Sequence, residues 1–228
     1  MNITVSAYNR PEHLRKCLDG LSRCIGISSS HVAVVCDMSD KTSECLEIAR
    51  SHRFDTVENE SRMGCNATIK KCIAYAVAVM GSEFHVHLED DIVPSRDLLE
   101  WFSWARDTYE QDSEIFTISG YQRSGNGNFT TCGRRRKFTP WGWATWHDRL
   151  IQIGLGIDET SLVSWDVQTN ITRGTRKELF PSVSRVDNIG PVGEHMHDHR
   201  WHACFVAPRY TADSLGCVNT GDFMEVPQ

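Results

Sequence analysis

Along the first 120 residues, short apolar runs alternate with segments whose apolar positions recur every three or four residues. Ile3 to Ala7 is the first run and predicts a strand that ends in the turn Tyr8-Asn9-Arg10-Pro11. Leu14, Cys17, Leu18 and Leu21 then repeat at helical spacing, with Pro11 at a favourable helix start. Val32 to Cys36 is uninterrupted apolar sequence of the kind buried in parallel sheets. It stops at Asp37, and a helical pattern follows through Cys45, Leu46, Ile48 and Ala49. A short extended segment, Phe54 to Val57, precedes Arg62-Met63-Gly64 and a long helix with Ile69, Cys72, Ile73, Ala76, Val77 and Met80 on one face. Phe84 to Leu88 is the next strand, and it ends in Glu89, Asp90 and Asp91. A helix near Leu98, Leu99 and Phe102 and a strand from Ile115 to Ser119 complete the series.

This alternation predicts an α/β fold with a mostly parallel central sheet flanked by helices on both faces. Ligands of such sheets bind outside the carboxyl ends of the strands. Asn9 and Arg10, Asp37, and Glu89 to Asp91 are therefore expected along one edge. Three adjacent carboxylates repel one another and are costly to desolvate. Either they form a solvated acidic turn, or a divalent cation on their hard oxygens relieves the repulsion.

Beyond residue 120 the pattern loosens. Gly120 to Gly133 is rich in Gly, Asn, Ser and Thr and reads as a mobile loop. Trp141, Trp143 and Trp146 crowd the segment PWGWATW, where they serve either as core or as flat platforms for sugars or bases. From about Gly190 onward there is little periodicity, consistent with a lid over the cleft or a loose tail.

At 228 residues the chain suits a single domain, residues 1–228, with a ligand-binding half over 1–120 and a looser half over 121–228. No stretch approaches the roughly 20 apolar residues of a membrane span. The first strand begins at Ile3, so no secretory or transit segment is expected ahead of the fold. Nine cysteines without a CxxC pair disfavour a disulfide framework or structural zinc site and point to a reducing, cytoplasmic setting. A formal net charge of −6 argues against a protein that coats nucleic acid. Arg134-Arg135-Arg136-Lys137 is the one conspicuous basic run, either solvated surface or a contact for an anionic ligand.

Taken in order, these segments resemble the GT-A class of nucleotide-sugar glycosyltransferases. ITVSAYNRPEHLRKCLDGL is similar to the opening strand, loop and helix of those enzymes, and LEDD to their acidic metal motif in the form used by the N-acetylglucosaminyltransferase I group. PWGWATW, SWDVQTNITR (164–173) and PSVSRVDNIGPVGEH resemble later segments of that group, so the likeness runs in pieces from about residue 3 to 199. The chain is shorter than a Golgi enzyme and no anchor or stem is expected, which suits a compact bacterial or viral form, the latter acting in the host cytoplasm.

The resemblance implies roles for particular residues. Asp91 would ligate Mn²⁺ or Mg²⁺ bridging the donor diphosphate, with Asp90 and Glu89 on the donor sugar, the ribose or metal-bound water. Ser6, Ala7 and Arg10 would line the nucleotide pocket, Asp37 would accept from the uracil N3, and Arg62 and Gly64 would close over the nucleotide. Asp166 would be the general base. Trp141, Trp143, Arg135 and Arg136 would face the acceptor. In the histidine-rich GEHMHDHRWH, His195 or His197 would reach metal or diphosphate. Each residue also has a plainer reading: Arg10 as a turn cap, Asp37 as a helix N-cap, Asp166 as a solvated helix start, the histidines as surface.

The implied activity is metal-dependent, inverting transfer of a hexose or N-acetylhexosamine from a UDP-sugar to a hydroxyl of a glycan or small molecule, with no membrane partner. RRRK beside the tryptophans leaves open a viral DNA acceptor bearing 5-hydroxymethyl-pyrimidines. A nucleotidyltransferase fits less well, since SAYNRPEH has no glycine for a triphosphate loop. A non-catalytic nucleotide-sugar-binding domain would not need the acids.

Overall fold

The computed structural model describes residues 1–125, 128–191, 198–219, 221 and 223–226. In chain order the elements are β1 (Asn2–Ala7), α1 (Pro11–Ser22), β2 (His31–Cys36), α2 (Thr42–Ser51), β3 (Asp55–Glu58), α3 (Cys65–Ala78), β4 (Phe84–Glu89), β5 (Ile92–Pro94) and α4 (Leu98–Tyr109). Then come β6 (Ile115–Ser119), β7 (Thr131–Arg135), β8 (Trp143–Trp146), α5 (His147–Gly156), α6 (Trp165–Arg173), β9 (Lys177–Pro181), β10 (Val186–Asn188), α7 (His199–Phe205) and β11 (Met224–Glu225).

Nine strands form one sheet in the order β11-β7-β9-β6-β8-β4-β1-β2-β3, and β5 and β10 form a small antiparallel pair. The expected parallel block is present: β1 lies between β2 and β4, and β3 extends β2. Alternation along the strands feeds two cores. Ile3, Val5, Val86 and Leu88 pack with Leu14, Leu18 and Leu21 of α1 on one face. Ile69, Ile73, Phe116, Phe138, Trp143 and Trp165 pack on the other. The stripe on α1 is terminated cleanly, with Pro11 in its first turn, where a missing N–H costs nothing.

The later half is more ordered than its sequence pattern predicts. Trp143–Trp146 is a fully buried strand, antiparallel to both β4 and β6 and wedged between them. Thr131–Arg135, the end of the expected loop, pairs with β9. The chain after Gly190 contributes α7 and the edge strand β11, which pairs with β7. No helix among the described residues is long and apolar enough to cross a membrane.

Candidate active site

The carboxyl ends of β2, β1 and β4 lie side by side, so the chain leaves the sheet there at Asp37, at Ala7-Tyr8 and at Glu89. β8 runs the opposite way, with Trp143 opposite His87 near the end of β4. Its entry, Pro140-Trp141, therefore opens at the same edge where its neighbours finish. A cavity of about 670 Å³ runs along this edge. Ser6, Ala7, Tyr8, Asn9 and Arg10 line it, as do Asp37 and Arg62, the acids Glu89 to Asp91, and Trp141 and Asp166.

At the centre, Arg10 bridges two acids. Its guanidinium donates to Asp91 Oδ2 at 2.9 Å and also to Asp90 Oδ1. Asp90 and Asp91 are buried, so this pairing offsets part of their desolvation. The remaining oxygen, Asp91 Oδ1, is buried without a protein hydrogen-bond partner. Burial, and then the charge of Asp91, push the Glu89 carboxyl well above the usual carboxylate range. Asp90 is pushed up by burial too, although Arg10 pulls it back. The site thus gathers three carboxyl groups around one arginine, and burial resists their ionisation.

A divalent cation is the group the resemblance implies here, and the residues fit it. Among the described residues no three His, Cys, Asp or Glu groups form a closed metal cage. Mg²⁺-type ions at phosphate sites take one or two carboxylates and fill the remainder with phosphate oxygens and water. A buried, unpartnered Asp91 Oδ1 in an acid-rich pocket is such a donor. His195 and His197, the expected imidazole contributors, lie outside the described residues.

Asp37 is engaged in holding the backbone. Its Oδ1 accepts from the Met38 and Met63 amides at 3.0 and 2.9 Å and from Asn59 Nδ2 at 2.9 Å, and its Oδ2 accepts from the Gly64 amide at 2.8 Å. The carboxylate clamps the turn at the start of α3, which Gly64 makes possible at φ +82°. That turn carries Arg62, whose guanidinium lies 5.0 Å from the Tyr8 ring centroid.

On the other side of the cavity, α6 begins at Trp165 and presents Asp166 in its first turn. The Trp165 amide donates to Asn66 Oδ1 at 2.9 Å, tying this helix to α3. Trp141 is half-buried and packs edge-on against Tyr121 at 4.6 Å.

Three of the expected acceptor residues do not join the cavity. Trp143 is fully buried, edge-on to Phe138 and tilted against Trp165 and His87, because its strand is central in the sheet. Arg135 donates to the buried Glu178 at 2.7 Å and lies over Phe180. Arg136 is exposed and does not line the cavity. Conversely, the cavity wall includes Tyr8, Cys65, Thr68, Pro140, Ser164, Asn188 and Gly190, none of which the sequence pattern had assigned a role. Gly190 presses against Asp91: a Cβ there would meet Asp91 Oδ2 at 2.0 Å. His13 on α1 lies close to Asp91, its ring pushed below the usual histidine range by burial and then by Arg10.

No family model and no curated protein matches the chain in sequence. Solved structures do. S. aureus TarS 1-349 aligns at a TM-score of 0.63 with 14% identity, over 84% of this chain and 61% of that one. Its complex with UDP aligns at 0.62 with 15% identity, over 81% and 58%, and its complex with UDP-GlcNAc at 0.63 with 15% identity, over 86% and 60%. The fold is that of the GT-A glycosyltransferases. The likeness shows that fold and no narrower group within it, and the chain spans about three-fifths of these three TarS structures.

Proposed function

We propose that the chain is a metal-dependent, inverting glycosyltransferase that moves a sugar from a UDP-sugar to an acceptor hydroxyl. The observation that carries this reading is the acid cluster at the sheet edge, with Asp91 Oδ1 buried and unpartnered beside Arg10 and with Asp166 across the same cavity. The GT-A fold and the UDP and UDP-GlcNAc complexes of TarS support it.

The strand order supports the division of labour. Asp37, Gly64 and the Arg62–Tyr8 pair stand by β2 and suit a uracil and ribose; Ser6 and Ala7 on β1 flank them. The acids after β4 suit the diphosphate, and Trp141 and Asp166 suit the acceptor. Residues 1–120 thus make the donor side and 121–228 the acceptor side. Bound at Asp91, Mn²⁺ or Mg²⁺ supplies Lewis-acid stabilisation of the departing diphosphate. Asp166 takes the acceptor hydroxyl proton as that oxygen bonds to the anomeric carbon. The bond from that carbon to the diphosphate oxygen breaks on the opposite side, which inverts configuration and releases UDP. The acceptor is a glycan or small-molecule hydroxyl, reached without a membrane partner.

Incubation with a panel of nucleotide sugars, scored for nucleotide release with Mn²⁺ and with chelator, tests the reading. UDP release that needs the metal is expected; no turnover with any donor refutes it. Asp166→Ala should lower transfer by roughly 10²–10⁴-fold while sparing UDP affinity. Asp91→Ala should weaken UDP binding in the presence of Mn²⁺ and transfer together. Full activity in Asp166→Ala would move the base elsewhere.

A further inference from the structure

Asp91 is held on one side by Arg10, and on the other by a corner of backbone at residues 188–190. Asn188 closes β10, opposite Ile92 of β5. The Ile189 amide donates to the Asp91 carbonyl at 2.9 Å. Gly190 lies so close to the Asp91 carboxylate that only hydrogen fits in place of a side chain. One side-chain atom also ties this corner. Asn188 Oδ1 accepts from the Gly190 amide at 3.1 Å and, from outside the corner, from His202 Nε2 at 2.9 Å. Asn188 and His202 are both buried, so neither bond is exchanged readily for water.

His202 sits on α7, which is itself anchored. Asp198 caps the helix through the Arg200 and Trp201 amides at 2.8 and 3.0 Å. The Val206 carbonyl accepts from the Tyr121 hydroxyl, and Tyr121 also supports Trp141 in the cavity wall. A contact running from α7 through Asn188 and Gly190 to Asp91 therefore joins a late, sequence-irregular helix to the acid at the centre of the site.

We propose that His202 is a positioning residue for Asp91: by donating to Asn188 Oδ1 it fixes the Gly190 corner, which holds the Asp91 carboxylate in the orientation that receives a diphosphate-bound cation. This rests on the functional reading above. His202 itself touches neither donor nor cation. Outer hydrogen bonds of this kind typically change metal affinity 10–100-fold when removed.

The test is calorimetric binding of UDP to the full chain, with Mn²⁺ and with chelator, for His202→Ala, His202→Gln and Gly190→Ala. His202→Ala should bind UDP about tenfold more weakly with Mn²⁺ and equally well with chelator. His202→Gln, which keeps an N–H near the same place, should recover most of the loss. Gly190→Ala reaches Asp91 directly and should reproduce the Mn²⁺-dependent loss; if His202→Ala does not fold, His202→Phe, which keeps the ring's bulk without the N–H, carries the test. Wild-type affinity with Mn²⁺ in His202→Ala overturns the inference alone, whatever Gly190→Ala does. So does an equal loss with and without the metal. Failure of the wild type to bind UDP under either condition removes the functional reading, and the inference with it.

Discussion

At the scale of single residues, Asp37 shows how one carboxylate can serve a site by organising its backbone. Four donors converge on it, three of them amides of the main chain. A hydrogen bond to a charged group contributes about 1.5–3 kcal/mol, and buried donors left unmet cost about 1–3 kcal/mol each. Asp37→Ala should therefore lower stability by about 2–4 kcal/mol in urea denaturation. UDP affinity should fall too, because the turn carrying Arg62 and Gly64 is released. A loss under about 1 kcal/mol would mean that the turn holds its shape without the clamp.

At the scale of elements, β8 and β4 carry separable consequences. Trp141 and Trp143 are two residues apart, but one stands before β8 in the cavity wall and the other is packed within it. Trp143→Ala should cost about 3–5 kcal/mol of stability, as large-to-small core changes do. Trp141→Ala should leave the melting temperature nearly unchanged and raise KM for the acceptor. Equal effects on stability would contradict this division.

On β4, His85 and His87 are buried beside Thr4, with Thr4 Oγ1 at 3.0 and 2.9 Å from their ring nitrogens. Burial pushes both down to about 3, so both stay neutral in the folded chain while the unfolded chain takes up protons near pH 6.5. The unfolded state then binds more protons below pH 6.5, and stability is lost as pH falls. Between pH 7.5 and 5.5 each histidine should remove about 1.4 kcal/mol. Urea denaturation at the two pH values checks this. His87→Gln should shrink the dependence by about that amount, and an unchanged dependence would reject the assignment.

At the scale of the whole molecule, the basic run is largely consumed by the fold. Arg134 pairs with Asp112 and Glu225, and Arg135 with Glu178, which leaves Arg136 and Lys137 exposed from the run. With a net charge of −6, two exposed cations do not form a phosphate track. A duplex containing 5-hydroxymethyl-pyrimidines should not be shifted by the protein in a mobility assay at physiological salt. Salt-sensitive retention would instead favour DNA as acceptor.

The parallel half of the fold was legible because its signals are local. Val32 to Cys36 and Phe84 to Leu88 are apolar runs of strand length, Pro11 marks a helix start, and parallel order gathers the strand ends without further information. The acids, Arg10 and Asp37 followed from that order. What could not be read were contacts made by pairing at a distance. Glu178 interrupts the apolar pattern of β9, and its pairing with Arg135, the Thr139 amide and the Thr117 hydroxyl makes a buried acid tolerable there. Trp143 and Trp141 are chemically alike, and only the insertion of β8 between β4 and β6 separates core from cavity.

The sequence by itself determined which residue types stand at the strand ends, since side-chain periodicity is written into neighbouring positions. Only the tertiary structure decided that Asn188, Gly190 and His202 back Asp91, and that Asp37 holds the 62–64 turn. Apart from the local Asn188–Gly190 bond, those contacts join residues separated in the chain, and hydrogen bonds and close packing between them leave no periodic trace in the sequence.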